Sequence, residues 1–247
     1  GNKVNSALDN AQSFFAASAN NNRADALAAR KDGLGQAVSV VNAADNGIKA
    51  INSLIDQAKG ILATASGTTC TTASKTADDA DLASQFNEII SQIDKLVDDS
   101  GYQGSNLLKS DNLVVNFNED ASNKTTIAGF DATSTGLSLL AANTTVGTGT
   151  DLQSATKIDA AVAKLDAAKL TLESKTTTLS GNLGIINARQ EFTDNMINTL
   201  KTGADKLTLA DTNEEGANML ALQTRQQLGV ISLSLANQSN QSVLRLF

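Results

Sequence analysis

Leu27, Leu34, Val41, Ile48, Ile55 and Leu62 recur every seven residues, and Ala37, Ala44, Ile51, Ala58 and Ala65 fill the position three later. Two apolar registers of this period predict a long coiled-coil helix over 24–65, in which small alanines let a partner helix come close. Residues 67–76 are a small-residue break. Asp78, Asp79 and Asp81 then place carboxylates at a helix start, where the macrodipole favours them. That helix, 79–98, carries Leu82, Phe86, Ile89, Ile93 and Leu96 on one face, and Gly101 and Gly104 punctuate its end. The spacing predicts a shorter helix folded back on the first. "LVVNFN" at 113–118 and the following "KTTIAGF" predict a small hairpin. Residues 121–150, rich in Ser, Thr, Gly and Asn, predict loops with little core.

A second long helix is predicted from Asp151 over 152–200. Ile158, Leu165, Leu172, Leu179 and Ile186 again stand seven apart, with Val162 and Leu183 between them. A polar stretch, "KTGADKLTLADTNEEG", separates it from a last helix begun by Glu214 and Glu215. The expected fold is mainly α: a long coiled-coil-like helical rod bundle with a small β-hairpin region and a separate C-terminal helix. Four regions follow: 1–110, 111–150, 151–206 and 207–247. The last helix raises a question. Met219, Leu222, Val230, Leu233, Leu244 and Phe247 form an apolar stripe with no later segment to fold back over it.

Composition sharpens this picture. The 247 residues contain no proline, where an average chain of this length holds about twelve. Long uninterrupted helices explain the absence. Aromatics are 3% and there is no tryptophan, so thin helix-on-helix packing fits better than a thick core. A net charge of −7 argues against a nucleic-acid partner. No apolar run reaches the length needed for membrane insertion.

The search for chemistry finds no active site and calls for no cofactor. Histidine is absent, which removes the commonest general base and transition-metal ligand. Cys70 is alone, so it can make no internal disulfide, and a free thiol of no consequence is the simpler reading. "GLGQAV" from Gly33 lies inside the heptad helix and lacks the third glycine of a phosphate loop. Asp78, Asp79 and Asp81 lack a calcium loop's spacing, and Glu119 with Asp120 reads as a solvated turn. The hydroxyls between Ser122 and Thr150 read either as a hydrophilic turn or as a surface for O-linked glycosylation.

Both ends of the chain resemble one family. "GNKVNSALDNAQSFF" and the "ADNGI" element followed by "INSLI" are similar to the amino-terminal part of bacterial flagellin. "EEGANMLALQTRQQLGVISLSLANQSNQSVLRLF" resembles its carboxyl terminus, and "DDSGYQGSNLL" and "FDATSTGLSL" resemble elements between. The style of the ending looks most like the short flagellins of alphaproteobacteria. The core helix that this resemblance leads one to expect before Gly1 is not in the sequence.

The resemblance implies a structural subunit of a secreted, extracellular propeller filament, with self as principal partner and no catalysis. It implies an export apparatus, a secretion chaperone, a filament cap and hook-associated proteins as further partners. The stripe from Met219 to Phe247 then becomes a polymerisation stripe within a filament-core helix, covered by other subunits. Alternatives are a hook–filament junction protein, or a flagellin-like surface protein that binds a polysaccharide or host receptor. Flagellins that strongly activate a vertebrate Toll-like receptor carry "QRVRELAVQ" on the first rod helix. The similar stretch here is "DQAKGILAT", in which Gln57 and Lys59 stand for arginines, Gly60 for a glutamate, and Ile61 keeps the apolar anchor. Weak receptor activation is the expectation.

Overall fold

The computed structural model describes residues 1–67, 75–139, 152 and 155–244, and the side chains of 75–79 and 241–244 fall outside the description. Its elements are α1 (Ala11–Gly67), α2 (Lys75–Asp99), β1 (Leu113–Asn116), β2 (Lys124–Ile127), α3 (Ala155–Thr208) and α4 (Thr212–Leu244). They fall into two compact units, Ala26–Asn195 and the paired end segments Gly1–Asp25 with Met196–Phe247.

The unit Ala26–Asn195 has one continuous apolar core to which α1, α2, the hairpin and α3 all contribute. Every seam position inferred from the sequence is buried. Leu27, Leu34, Val41, Ile48, Ile55 and Leu62 on α1 are at most 5% exposed, and Ile158, Leu165, Leu172, Leu179 and Ile186 on α3 at most 4%. Ion pairs fix the direction of α3 against α1. Lys59 reaches Asp166 at 2.6 Å, Lys169 reaches Asp56 at 2.8 Å, and Lys31 reaches Asp194 at 2.7 Å, so the helices run antiparallel. The hydrogen bond donated to Asp56 holds the Lys169 ammonium above its ordinary pKa.

Several expectations need correction. Helix α1 begins at Ala11, thirteen residues before the first apolar register predicts, because Asn10 caps it: the Ser13 N–H donates to Asn10 Oδ1 at 3.0 Å. On α2 the deepest stripe is Ala83, Phe86, Ile90, Ile93 and Val97, while Leu82, Ile89 and Leu96 are half-buried at its edge. The "DDSGYQG" stretch does more than end a helix. Gln103 (φ 48°) and Gly104 (φ 81°) form a tight turn in which the Tyr102 and Ser105 N–H groups each donate to the other's carbonyl. Buried Asn106 holds the next bend. Its Nδ2 donates to Val97 O at 2.6 Å, its Oδ1 accepts from the Leu108 N–H at 3.0 Å, and its N–H donates to Asp111.

The hairpin forms in the predicted place, with Leu113 opposite Ile127 and Asn116 opposite Lys124. Asp120 shapes its tip, and the Ser122 N–H and hydroxyl hold its carboxyl below the usual range. Arg30 on α1 donates to Glu119 O, and the guanidinium of Arg189 on α3 lies 5.1 Å from the Phe117 ring centre. The segment after the hairpin is not a coreless loop. Ala132, Leu137 and Leu139 are buried, and the Ser134 N–H and hydroxyl donate to Asp94 on α2 at 2.7 and 2.9 Å. Cys70, the hydroxyls Thr144, Thr145, Thr148 and Thr150, and the predicted helix start at Asp151 lie outside the described residues.

Gly47 marks a close approach to α1. A Cβ there would overlap Ser100 Oγ and stand 2.7 Å from Leu108 Cδ1. Gly33 on the same helix has nothing within 4 Å of such an atom. Gly47→Ala is therefore expected to cost about 1–3 kcal/mol by overpacking, while Gly33→Ala gains up to about 1 kcal/mol of helix propensity. Urea denaturation of both variants reads the difference. Shifts of the same sign would contradict the close approach.

In the unit of paired end segments, the chain start runs beside the end of α3. The Lys3 and Val4 N–H groups donate to Thr208 O, and the Ala210 N–H donates to Gly1 O. The expected polar break from Lys201 to Gly216 is mostly helix, since α3 continues to Thr208. Ala204 is buried and Gly203 faces Asn20, so packing holds this stretch helical despite its weak propensity.

Candidate assembly interface

Helix α4 follows a three-residue connection and starts under a strong cap. Asp211 Oδ1 accepts from the Asn213 N–H at 2.8 Å and lies 3.5 Å from the Glu214 N, and Glu214 and Glu215 place charge in the first turn. Beyond that start the helix has almost no charge up to Leu244, Arg225 excepted.

Every residue from Asp211 to Asn240 is exposed. The predicted stripe residues Met219, Leu222, Val230 and Leu233 are 63–68% exposed and share one face. The side chain of Leu244 and all of Phe247 lie outside the described residues. A second apolar face went unnoticed in the sequence. Leu220, Leu228, Ile231 and Leu235, 58–66% exposed, lie on nearly the opposite side of the helix. Its signal in the sequence is a second set of i, i+3 and i, i+4 spacings interleaved with the first. A helix that is apolar on opposite sides suits burial between neighbours rather than a place on a surface.

The stretch similar to the receptor-binding motif lies on α1. Gln57, Gly60 and Ile61 line an open groove of about 620 Å3 between α1 and α2, opposite Leu82, Gln85 and Ile89. Lys59 points instead to Asp166 on α3. The rod seam is internal to the unit Ala26–Asn195, and α4 is exposed from Thr212 to Asn240.

Among the described residues no group of three or more His, Cys, Asp or Glu could hold a metal ion. No helix among them is long and apolar enough to cross a membrane.

The comparisons with known proteins agree with this geometry. Residues 153–247 match the family model of the bacterial flagellin C-terminal helical region. The chain is 37% identical over 93 residues to Flagellin A of Rhizobium meliloti, a match that covers 38% of this chain and 24% of that protein. With Flagellin C of Rhizobium meliloti strain 1021 it is 42% identical over 80 residues, 31% of this chain and 25% of the relative. These matches span about a quarter of the Rhizobium proteins' length. Against the flagellin of Brucella melitensis biotype 1 the similarity runs end to end, with 29% identity over 100% of this chain and 88% of the relative. The crystal structure of Bacillus cereus flagellin shares the fold, with a TM-score of 0.52 at 16% identity over 65% of this chain and 88% of that one. The match over residues 153–247, the similarity that runs along the whole chain and the shared fold make this protein similar to bacterial flagellins.

Proposed function

We propose that this chain is the structural subunit of a flagellar filament, secreted and assembled outside the cell through its terminal helices. The observation that carries this reading is α4: 33 residues, apolar on opposite faces and uncovered by its own chain from Asp211 to Asn240. Burying one leucine is worth about 1.5–3 kcal/mol, so assembly that covers both faces supplies several kcal/mol before ordering costs. Identical contacts that repeat without closing give an open helical polymer.

The exposed helix supports a reading in which further partners handle the chain. Before export it requires a chaperone to keep it from non-specific association. At the cell surface the export apparatus delivers it, and the hook-associated and cap proteins bound the polymer at its two ends. The role is structural rather than catalytic.

Seeded growth tests the proposal. The purified chain is mixed with sheared filaments from its native cells, and pelletable protein and filament length are followed. Elongation supports the reading, whereas a chain that stays soluble beside competent seeds overturns it.

A further expectation concerns the receptor-like stretch. Gln57 and Gly60 stand where strong activators carry arginine and glutamate, and Lys59 is paired with Asp166. Neutral or point-charge side chains cannot supply the bidentate contacts of arginine. Activation of the vertebrate flagellin receptor is expected to be weak or absent in a reporter-cell assay. A full response at doses sufficient for a strong activator would contradict this.

A further inference from the structure

An α-helix leaves its last carbonyl groups without intrahelical partners, and a glycine or asparagine in the left-handed region is the usual remedy. Helix α3 ends without that remedy. "KLTLADTN", Lys206 to Asn213, holds no glycine, and none of these residues has a positive φ. The last two turns are also weak in themselves. Thr202, Gly203, Asp205 and Thr208 are poor helix formers, and Ala204 is the one buried side chain from Asn198 to Thr208.

The cap comes instead from a segment remote in sequence. Thr208 O accepts from the Lys3 N–H at 2.8 Å and from the Val4 N–H at 3.2 Å. Gly1 O accepts from the Ala210 N–H at 2.9 Å, and Asn2 pairs with Leu209 in an isolated antiparallel bridge. Val4 anchors this strap. It is 6% exposed and the one buried side chain among residues 1–16. Beyond Val4 the chain turns toward α1 in a compact loop, in which Asp9 Oδ2 accepts from the Asn5 and Ser6 N–H groups at 2.9 Å each. That loop fixes the direction from which the strap meets α3.

We propose that Gly1–Val4 is a latch that closes over the end of α3, keeps its last two turns helical and holds the connection to α4 at three residues. Its closure is finely balanced. Three backbone hydrogen bonds and one apolar anchor stand against the conformational entropy of ordering four residues, and Gly1, Asn2, Lys3 and Leu209 are all exposed. When the latch opens, Thr208 O and the Ala210 N–H turn to water. The last turns then lose their cap, and residues 201–211 become a flexible tether. Helix α4 is exposed from Thr212 to Asn240, so this connection sets its direction. The closed latch presents α4 in one direction, and the open latch lets it swing. The meaning of this for assembly rests on the filament reading, whereas the latch itself is a property of the single chain.

Site-resolved hydrogen exchange on the full chain, as a verified monomer, tests the latch. In the parent, the Lys3, Val4 and Ala210 amides should be protected. Ala210→Pro removes one latch donor, and it suits the site because Leu209 is already extended and residue 210 lies outside both helices. Val4→Asp removes the anchor. Each variant is expected to speed exchange of the 204–209 amides about tenfold or more, while Leu27 to Leu62 stay protected as in the parent and show that the larger unit remains folded. Lys3→Ala keeps both strap donors and should match the parent. Unchanged exchange at 204–209 in both Ala210→Pro and Val4→Asp would show that α3 holds its own end and would overturn the proposal. So would unprotected Lys3, Val4 and Ala210 amides in the parent. Growth of the parent on seeds reports separately on the filament function. Without growth that function falls, and the exchange rates still decide the latch. Growth with unchanged exchange at 204–209 leaves the function standing and removes the latch.

Discussion

Ile48→Asp is expected to lower the stability of the unit Ala26–Asn195 by about 4 kcal/mol or more, enough to leave it largely unfolded at physiological temperature. Ile48 is 1% exposed in the middle of the α1 seam and belongs to the continuous core of that unit. A carboxylate buried there must desolvate or protonate, and the isoleucine's apolar burial is lost as well. Asn42→Asp on the exposed side of the same helix is the control, with an expected change within about 0.5 kcal/mol. Circular dichroism during urea titration distinguishes them. Equal midpoints for Ile48→Asp and the parent would show that the heptad seam does not hold this unit together.

The second large effect is on assembly. Leu233→Asp and Ile231→Asp lie on opposite faces of α4, each more than half exposed. If both faces are covered in the filament, each substitution alone raises the critical concentration for seeded growth by about 100-fold or more, the equivalent of roughly 3 kcal/mol. Stability of the unit Ala26–Asn195 should not change, because α4 contributes nothing to its core. Normal growth by Ile231→Asp would leave only the Met219–Leu233 face as an interface. Hydrogen exchange complements this. A helix with no tertiary cover is marginal in water. Residues 215–244 of a verified monomer should therefore exchange near the unprotected rate while Leu27 to Leu62 stay protected. Strong protection of α4 in that monomer would show that its own chain holds it.

The sequence alone determined the seams. A seven-residue apolar period is a local property, written in order along the chain, and it dictates which side of a helix must leave water. Leu34, Ile55, Leu165 and Ile186 needed no knowledge of their neighbours to be placed in the core. The hairpin at 113–127 and the outward α4 stripe were legible for the same reason, and motifs at both ends pointed to the family. Only the tertiary structure decided the rest. "KTGADKLT" reads as a polar break, yet α3 runs through it because packing at Ala204 outweighs the small helix propensity of Gly203 and its neighbours. Ser134 reads as one more loop hydroxyl, yet it binds Asp94, forty residues earlier. Gly47 differs from Gly33 only in what stands opposite it. The half-buried Leu82, Ile89 and Leu96 fit a core stripe by spacing, and only the placement of α2 beside α1 turned them into the wall of a groove. Periodicity records which face a helix hides, whereas a close approach, a long-range hydrogen bond and a groove each depend on two segments far apart in sequence, and no local pattern carries that pairing.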